Sequence, residues 1–139
     1  MRFYSFTNMY TSGIHAGIQT AHAAHEMMLK YSDRPESDEK RVNLMTWATQ
    51  HKTIIVLQAG YHSALNELYD ELKPLSAMLS LPIVRWKEGK EALNGATTAI
   101  GLVLPKTVYG IKTDDLPTAG WATPEEELAS IVRRYRMAI

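Results

Sequence analysis

The residues with the greatest capacity for chemistry lie at the start of a predicted helix. Thr11, Ser12 and Gly13 supply capping hydroxyls and a permissive turn before a stretch without proline. The free N–H groups and positive dipole end of such a helix can hold a phosphate. His15 follows in the first turn, where it could pair with that phosphate, transfer a proton near neutral pH, or simply be exposed.

The predicted helix, residues 14–29, separates into two faces at helical spacing. The face expected to meet the core contains Ile14, Ile18, Ala21, His25 and Met28. The opposite, polar stripe contains His15, Gln19, His22 and Glu26. Gln19 and His22 are therefore candidate ligand contacts, although His22 could instead be hydrogen-bonded between the helix and a sheet.

A second candidate group lies at the end of a short predicted strand, residues 82–86. Arg85, Trp86 and Lys87 combine two cations with an indole, a combination suited to stacking a ring beside a phosphate. The alternative is a solvated strand end whose Trp86 covers the core. We favour the ligand-binding interpretation.

Composition excludes several classes of protein. The 139 residues are 45% hydrophobic and 22% charged, as expected for one globular domain, and 15 cationic residues balance 15 acidic ones, so long duplex nucleic acid is a poor partner. Five histidines occur without any cysteine or zinc-motif spacing, so we predict no metal and no cofactor. No apolar run could span a bilayer, and the N-terminus lacks leader features, which predicts a cytoplasmic protein without membrane contact.

The elements that must position these residues alternate between strand and helix, which indicates an α/β domain. Strands are predicted at residues 2–9, 52–59, 82–86 and 96–104, the second of them buried. Helices are predicted at residues 14–29, 38–50 and 61–79, with Pro74 expected to kink or split the third. Residues 106–120 form a loop-like connector, and Thr123 and Pro124 begin a last helix.

Several segments follow the order of one known family. Residues 13–23 (GIHAGIQTAHA) resemble its first-helix signature, in which Gln19, His22 and Ala23 match a Gln-x-x-His-Ala pattern. Trp47 then precedes the apolar segment KTIIVLQA, and PIVRW and ATTAIGLVLP follow. On these residues the chain resembles the type 2 peptidyl-tRNA hydrolases over residues 1–105.

The resemblance implies a small mixed sheet of about four strands with helices on both faces. It also implies a homodimer, and a tRNA acceptor end as one possible partner. Residues 106–139 extend beyond the family core, as a segment with an extra C-terminal helix that we expect to pack on the same domain.

Departures from the family direct the functional prediction. The resemblance places His15 where the family has a catalytic lysine and Trp86 where it has an aspartate. In the segment from Asn94 to Thr98, Thr97 and Thr98 correspond loosely to the threonine-bearing loop of the family. Trp86 supplies neither a base nor an anion. The sequence thus predicts binding of a nucleotide-type small molecule, in one form sequestration of a nucleotide immune signal without turnover.

Two alternatives stay open from the sequence. The first is a divergent hydrolase that cleaves the ester between peptide and tRNA, with His15 as its catalytic residue. The second is an interaction module whose C-terminal helix docks a partner through the apolar face of Leu128, Ile131, Val132 and Tyr135.

Overall fold

The computed structural model describes residues 1–8, 13–88, 95–116, 120 and 123–137. Its helices are α1 (Gly13–Tyr31), α2 (Glu39–Thr46), α3 (His62–Met78), α4 (Lys106–Tyr109) and α5 (Pro124–Val132). Its strands are β1 (Arg2–Thr7), β2 (Ile54–Gln58), β3 (Ile83–Lys87), β4 (Thr97–Leu104) and β5 (Arg136–Met137). A π-helical turn (Trp47–His51) extends α2, and a 3-10 turn (Thr113–Asp115) follows α4.

The strands form one mixed sheet in the order β3-β4-β1-β2-β5. β1 and β2 run parallel, and the other neighbouring strands are antiparallel. The α/β class is confirmed, but the sheet has five strands rather than about four. The fifth consists of only Arg136 and Met137, too short for an alternating pattern to reveal it.

The central strand β1 divides the core into two halves. Phe3 faces α1 and α2, where its ring lies 4.9 Å from that of Trp47. Tyr4 and Phe6 face the other way, into the leucines of α3 and the C-terminal helix. Helices therefore pack on both faces of the sheet at β1, which contributes buried side chains to each face.

The predicted core face of α1 is wrong. Ile14 is 77% and Ile18 47% exposed, whereas the buried positions are Ala16, Thr20, Ala23, Met27 and Tyr31. The small alanines let the helix approach the sheet, and the polar groups on this face are satisfied. Thr20 hydrogen-bonds Ser5 at 2.8 Å, and the Tyr31 hydroxyl donates to the Ile83 carbonyl at 2.9 Å. The predicted face was the one with the larger aliphatic residues Ile14 and Ile18, whereas the structure buries small alanines together with Thr20, Met27 and Tyr31.

Helix α3 is continuous through Pro74 and is neither split nor ended there. Pro74 lies on the exposed side, while Leu65, Leu68, Leu72 and Leu75 are buried against the sheet on the other side. The burial of these leucines on both sides of the proline offsets the lost backbone hydrogen bond.

The C-terminal helix α5 packs into the same core. Thr123 accepts a hydrogen bond from the Glu126 N–H at 3.2 Å, and Pro124 is the first helical residue, as predicted. Leu128 and Ile131 are buried among residues of β1, β2 and α3. The interpretation of this apolar face as a docking surface is therefore wrong. The preceding connector is also more ordered than predicted, since it contains α4 and the 3-10 turn.

Shortening Leu128 to alanine should destabilise the domain by about 2–5 kcal/mol, because it removes a fully buried side chain and leaves a cavity. Urea unfolding followed by circular dichroism measures the change. The matched control is Met78→Ala, since Met78 is 67% exposed on α3 and should change stability little. An unchanged unfolding midpoint together with a changed molecular mass in light scattering would instead indicate that α5 is a subunit interface.

Candidate ligand-binding groove

Two neighbouring residues of the edge strand β3, Arg85 and Trp86, point to opposite faces of the sheet. Trp86 faces α1, where its indole stacks on the His22 imidazole with ring centres 4.5 Å apart and an interplanar angle of 8°. The indole N–H also donates to Glu88 Oε1 at 3.4 Å. Contacts with α1 and with Glu88 thus fix the orientation of the indole.

Arg85 faces α3 instead. Its Nη1 donates to Asn66 Oδ1 at 3.2 Å, and the guanidinium lies 4.6 Å from the centre of the Tyr69 ring. Thr97 Oγ1 donates to the same Asn66 oxygen at 2.7 Å. The side-chain oxygen of Asn66 therefore links Thr97 of β4 to the Arg85 guanidinium. The hydrogen bond to Asn66 uses one of the five N–H donors of Arg85.

A β-bulge determines where the two neighbouring threonines point. In the β3–β4 pairing Trp86 lies opposite Ala99, but Lys87 lies opposite Thr97, so Thr98 is an extra residue in β4. A bulge interrupts the alternation of side chains along a strand. Thr97 accordingly reaches α3, while Thr98 reaches α1 and donates to Gln19 Oε1 at 3.1 Å.

A groove of about 620 Å³ follows the outer edge of β3, between α1 and α3. Its lining residues are Glu26, Leu29, Lys30, Tyr69, Val84, Arg85, Trp86 and Lys87. Among the described lining residues, three cations and one carboxylate leave two net positive charges. At one end of the edge, Tyr31 and Lys30 donate to the Ile83 carbonyl, which leaves less of the strand edge for pairing with another strand.

The structure brings together some of the residues predicted to bind ligand and separates others. Arg85, Trp86 and Lys87 line the groove, and His22 supports it through the Trp86 stack. Gln19 and Thr97 form hydrogen bonds inside the domain.

The predicted phosphate site at the start of α1 is a separate place. Gly13 and His15 are exposed there and do not line the groove. Nine residues separate Gly13 from His22, about 14 Å along a helix axis. Thr11, Ser12 and Asn94 lie outside the described residues.

Sequence reasoning missed several residues at the groove. Lys30 continues the spacing of His22 and Glu26 along the polar stripe of α1, so extending that stripe by one turn would have found it. Asn66 and Tyr69 carried no such signal. They reach Arg85 only because α3 packs beside β3, a contact that no local pattern specifies.

The chain matches no known protein-family model and no curated protein sequence. The resemblance to the type 2 peptidyl-tRNA hydrolases therefore stays a prediction. Among the described residues, no three histidine or carboxylate side chains are placed to hold a metal ion. Within the same ranges, no helix combines the length and apolarity needed to cross a membrane.

Replacing Thr97 with valine should lower the free energy of unfolding by about 1 kcal/mol, because it removes a buried hydroxyl hydrogen-bonded to Asn66. Chemical denaturation measures this loss. Thr107→Val, an exposed threonine of α4, is the matched control and should change stability little. Equal stability of the Thr97 variant and the parent would contradict the link from Thr97 through Asn66 to Arg85.

Proposed function

We propose that this chain binds a nucleotide-type small molecule in the groove along β3. The observation that carries the proposal is the combination of an oriented indole, Trp86, with Lys30, Arg85 and Lys87 in one groove. An aromatic surface beside several cations suits a ligand that joins a flat ring to phosphates.

The ring-binding part of the proposal rests on Trp86. His22 already covers one face of the indole, so a ligand ring would stack from the groove side or displace the imidazole. Stacking on an aromatic side chain contributes about 1–3 kcal/mol per base and tolerates different bases. This interaction would favour nucleotides as a class without selecting one base.

The phosphate-binding part rests on charge and size. Arg85 retains N–H donors beyond the one bonded to Asn66, and a guanidinium can hold two phosphate oxygens at once. Lys30 and Lys87 add two further positive charges, while Glu26 lines the groove among the described residues and Glu88 lies beside the Trp86 indole. A volume of about 620 Å³ also lies within the range of small-molecule sites.

We propose that the protein binds its nucleotide-type ligand without converting it. Stacking and cationic side chains hold a ligand, and Trp86 stands where the family resemblance would place a catalytic aspartate. A protein of this kind would sequester its ligand, and a nucleotide immune signal is one candidate.

The hydrolase alternative has less support from the geometry. It requires His15 at the reacting ester, yet His15 and His22 are seven residues apart, about 11 Å along α1. The residue is exposed and does not line the groove.

Thermal shift with a panel of AMP, ATP, ADP-ribose and cyclic dinucleotides should identify at least one nucleotide that stabilises the protein, and chromatography should recover it intact. Trp86→Ala should weaken its binding about tenfold or more, since the stacking surface is lost. Arg85→Ala should also weaken binding, because a phosphate contact is removed.

Lys52→Ala is the matched control for lost charge, because Lys52 is exposed and does not line the groove. It should bind the nucleotide as the parent does. The proposal fails if the whole panel leaves the melting temperature unchanged. Cleavage of peptidyl-tRNA by the parent but not by His15→Ala would establish the hydrolase instead.

A further inference from the structure

The α1 side of the sheet is only partly covered. Helix α1 packs mainly on β3, β4 and β1, and leaves β2 largely open. Ile54, in a strand predicted to be buried, is 46% exposed, and Val56 on the same face is half-buried. Ile54 and Val56 therefore present apolar side chains that α1 does not fully cover.

The flank of α1 that borders this area is apolar. Ile14 and Ile18 are largely exposed, Ala21 is exposed, and Met28 is half-buried. Their spacing makes one stripe along the helix, with the exposed His25 between Ala21 and Met28. At its C-terminal end the stripe opens into a depression of about 430 Å³ lined by Ala24, His25, Met28, Trp47, Ala48, Lys52 and Ile54. We call this surface, from Ile14 along α1 to Ile54, the α1–β2 groove.

Charge restricts what could cover the α1–β2 groove. None of the described residues that line its depression is a carboxylate, and Lys52 is the lysine at its rim. Glu26, the acidic residue of α1, lines the β3 groove on the other flank of the helix. An occupant that buries the apolar stripe and also satisfies Lys52 must carry apolar side chains flanked by acidic ones.

The described helices of a second copy do not offer such a surface. In α3 and α5, which carry six of the eight acidic residues of helices α1–α5, the leucines are buried in the core of their own chain. The exposed stripe of α1 is apolar, but the side chains beside it are histidines rather than carboxylates.

We propose that the α1–β2 groove docks an amphipathic helix of another protein, with an apolar stripe against Ile18, Met28 and Ile54 and a carboxylate-bearing flank along Lys52. This interaction is independent of nucleotide binding, because the two grooves lie on opposite flanks of α1. The chain would then hold a nucleotide-type ligand and a helical partner at the same time.

The test uses two designed peptides of about 15 residues with leucines at helical spacing and either glutamate or lysine at the remaining positions. Fluorescence anisotropy should show saturable binding of the glutamate peptide and at least tenfold weaker binding of the lysine peptide. Ile54→Asp should weaken the glutamate peptide at least tenfold. Met78→Asp, an exposed methionine outside the groove, should bind it as the parent does.

A charge reversal makes the test specific. Lys52→Glu should weaken the glutamate peptide and strengthen the lysine peptide, whereas non-specific adhesion would respond equally to both. The proposal is overturned if the glutamate peptide does not saturate, or if Ile54→Asp and Met78→Asp bind it equally. It is also overturned if light scattering shows a dimer that Ile54→Asp dissociates, or if the parent cosediments with anionic lipid vesicles and Ile54→Asp does not.

Discussion

The burial of β1 on both faces is the constraint on which the rest of the structure depends. Its parallel pairing with β2 and antiparallel pairing with β4 leave no exposed edge on the strand. The Phe3 ring lies against Gly101 of β4 so closely that an added methyl group there would come within 2.6 Å of it. Helix α1 packs on the same face of the sheet as Phe3, where Thr98 donates to Gln19 and His22 stacks on Trp86.

Sequence patterns identified the main elements because those signals are local. Apolar β-branched segments located β2 and β4, and the spacing of Leu65, Leu68 and Leu72 located α3. The face of α1 could not be predicted in this way. Which flank is buried depends on how closely the helix approaches the sheet, and the chain places alanine and Thr20 there while Ile14 remains exposed.

The candidate site was predicted only in part, because local sequence signals identify some of its residues and tertiary packing determines the others. Arg85, Trp86 and Lys87 are adjacent in sequence, so a local combination of charge and aromaticity revealed them. The bulge at Thr98 and the contact between Asn66 and Arg85 arise from strand pairing and helix packing, which lie beyond any local pattern. The groove consequently lies along β3, whereas the helix start that first indicated a phosphate site is about 14 Å along α1 from His22, which stacks on Trp86.

Proton–nitrogen NMR of the tryptophan side chains tests the central claim, that Trp86 forms part of a nucleotide site, most directly. The chain has three tryptophans, and Trp47 is an internal reference because it is buried and its indole donates to the Thr53 carbonyl at 2.7 Å. Titration with each nucleotide of the panel should shift the Trp86 indole signal in a saturable manner and leave that of Trp47 in place. A Trp86 signal that none of the nucleotides moves would contradict the account.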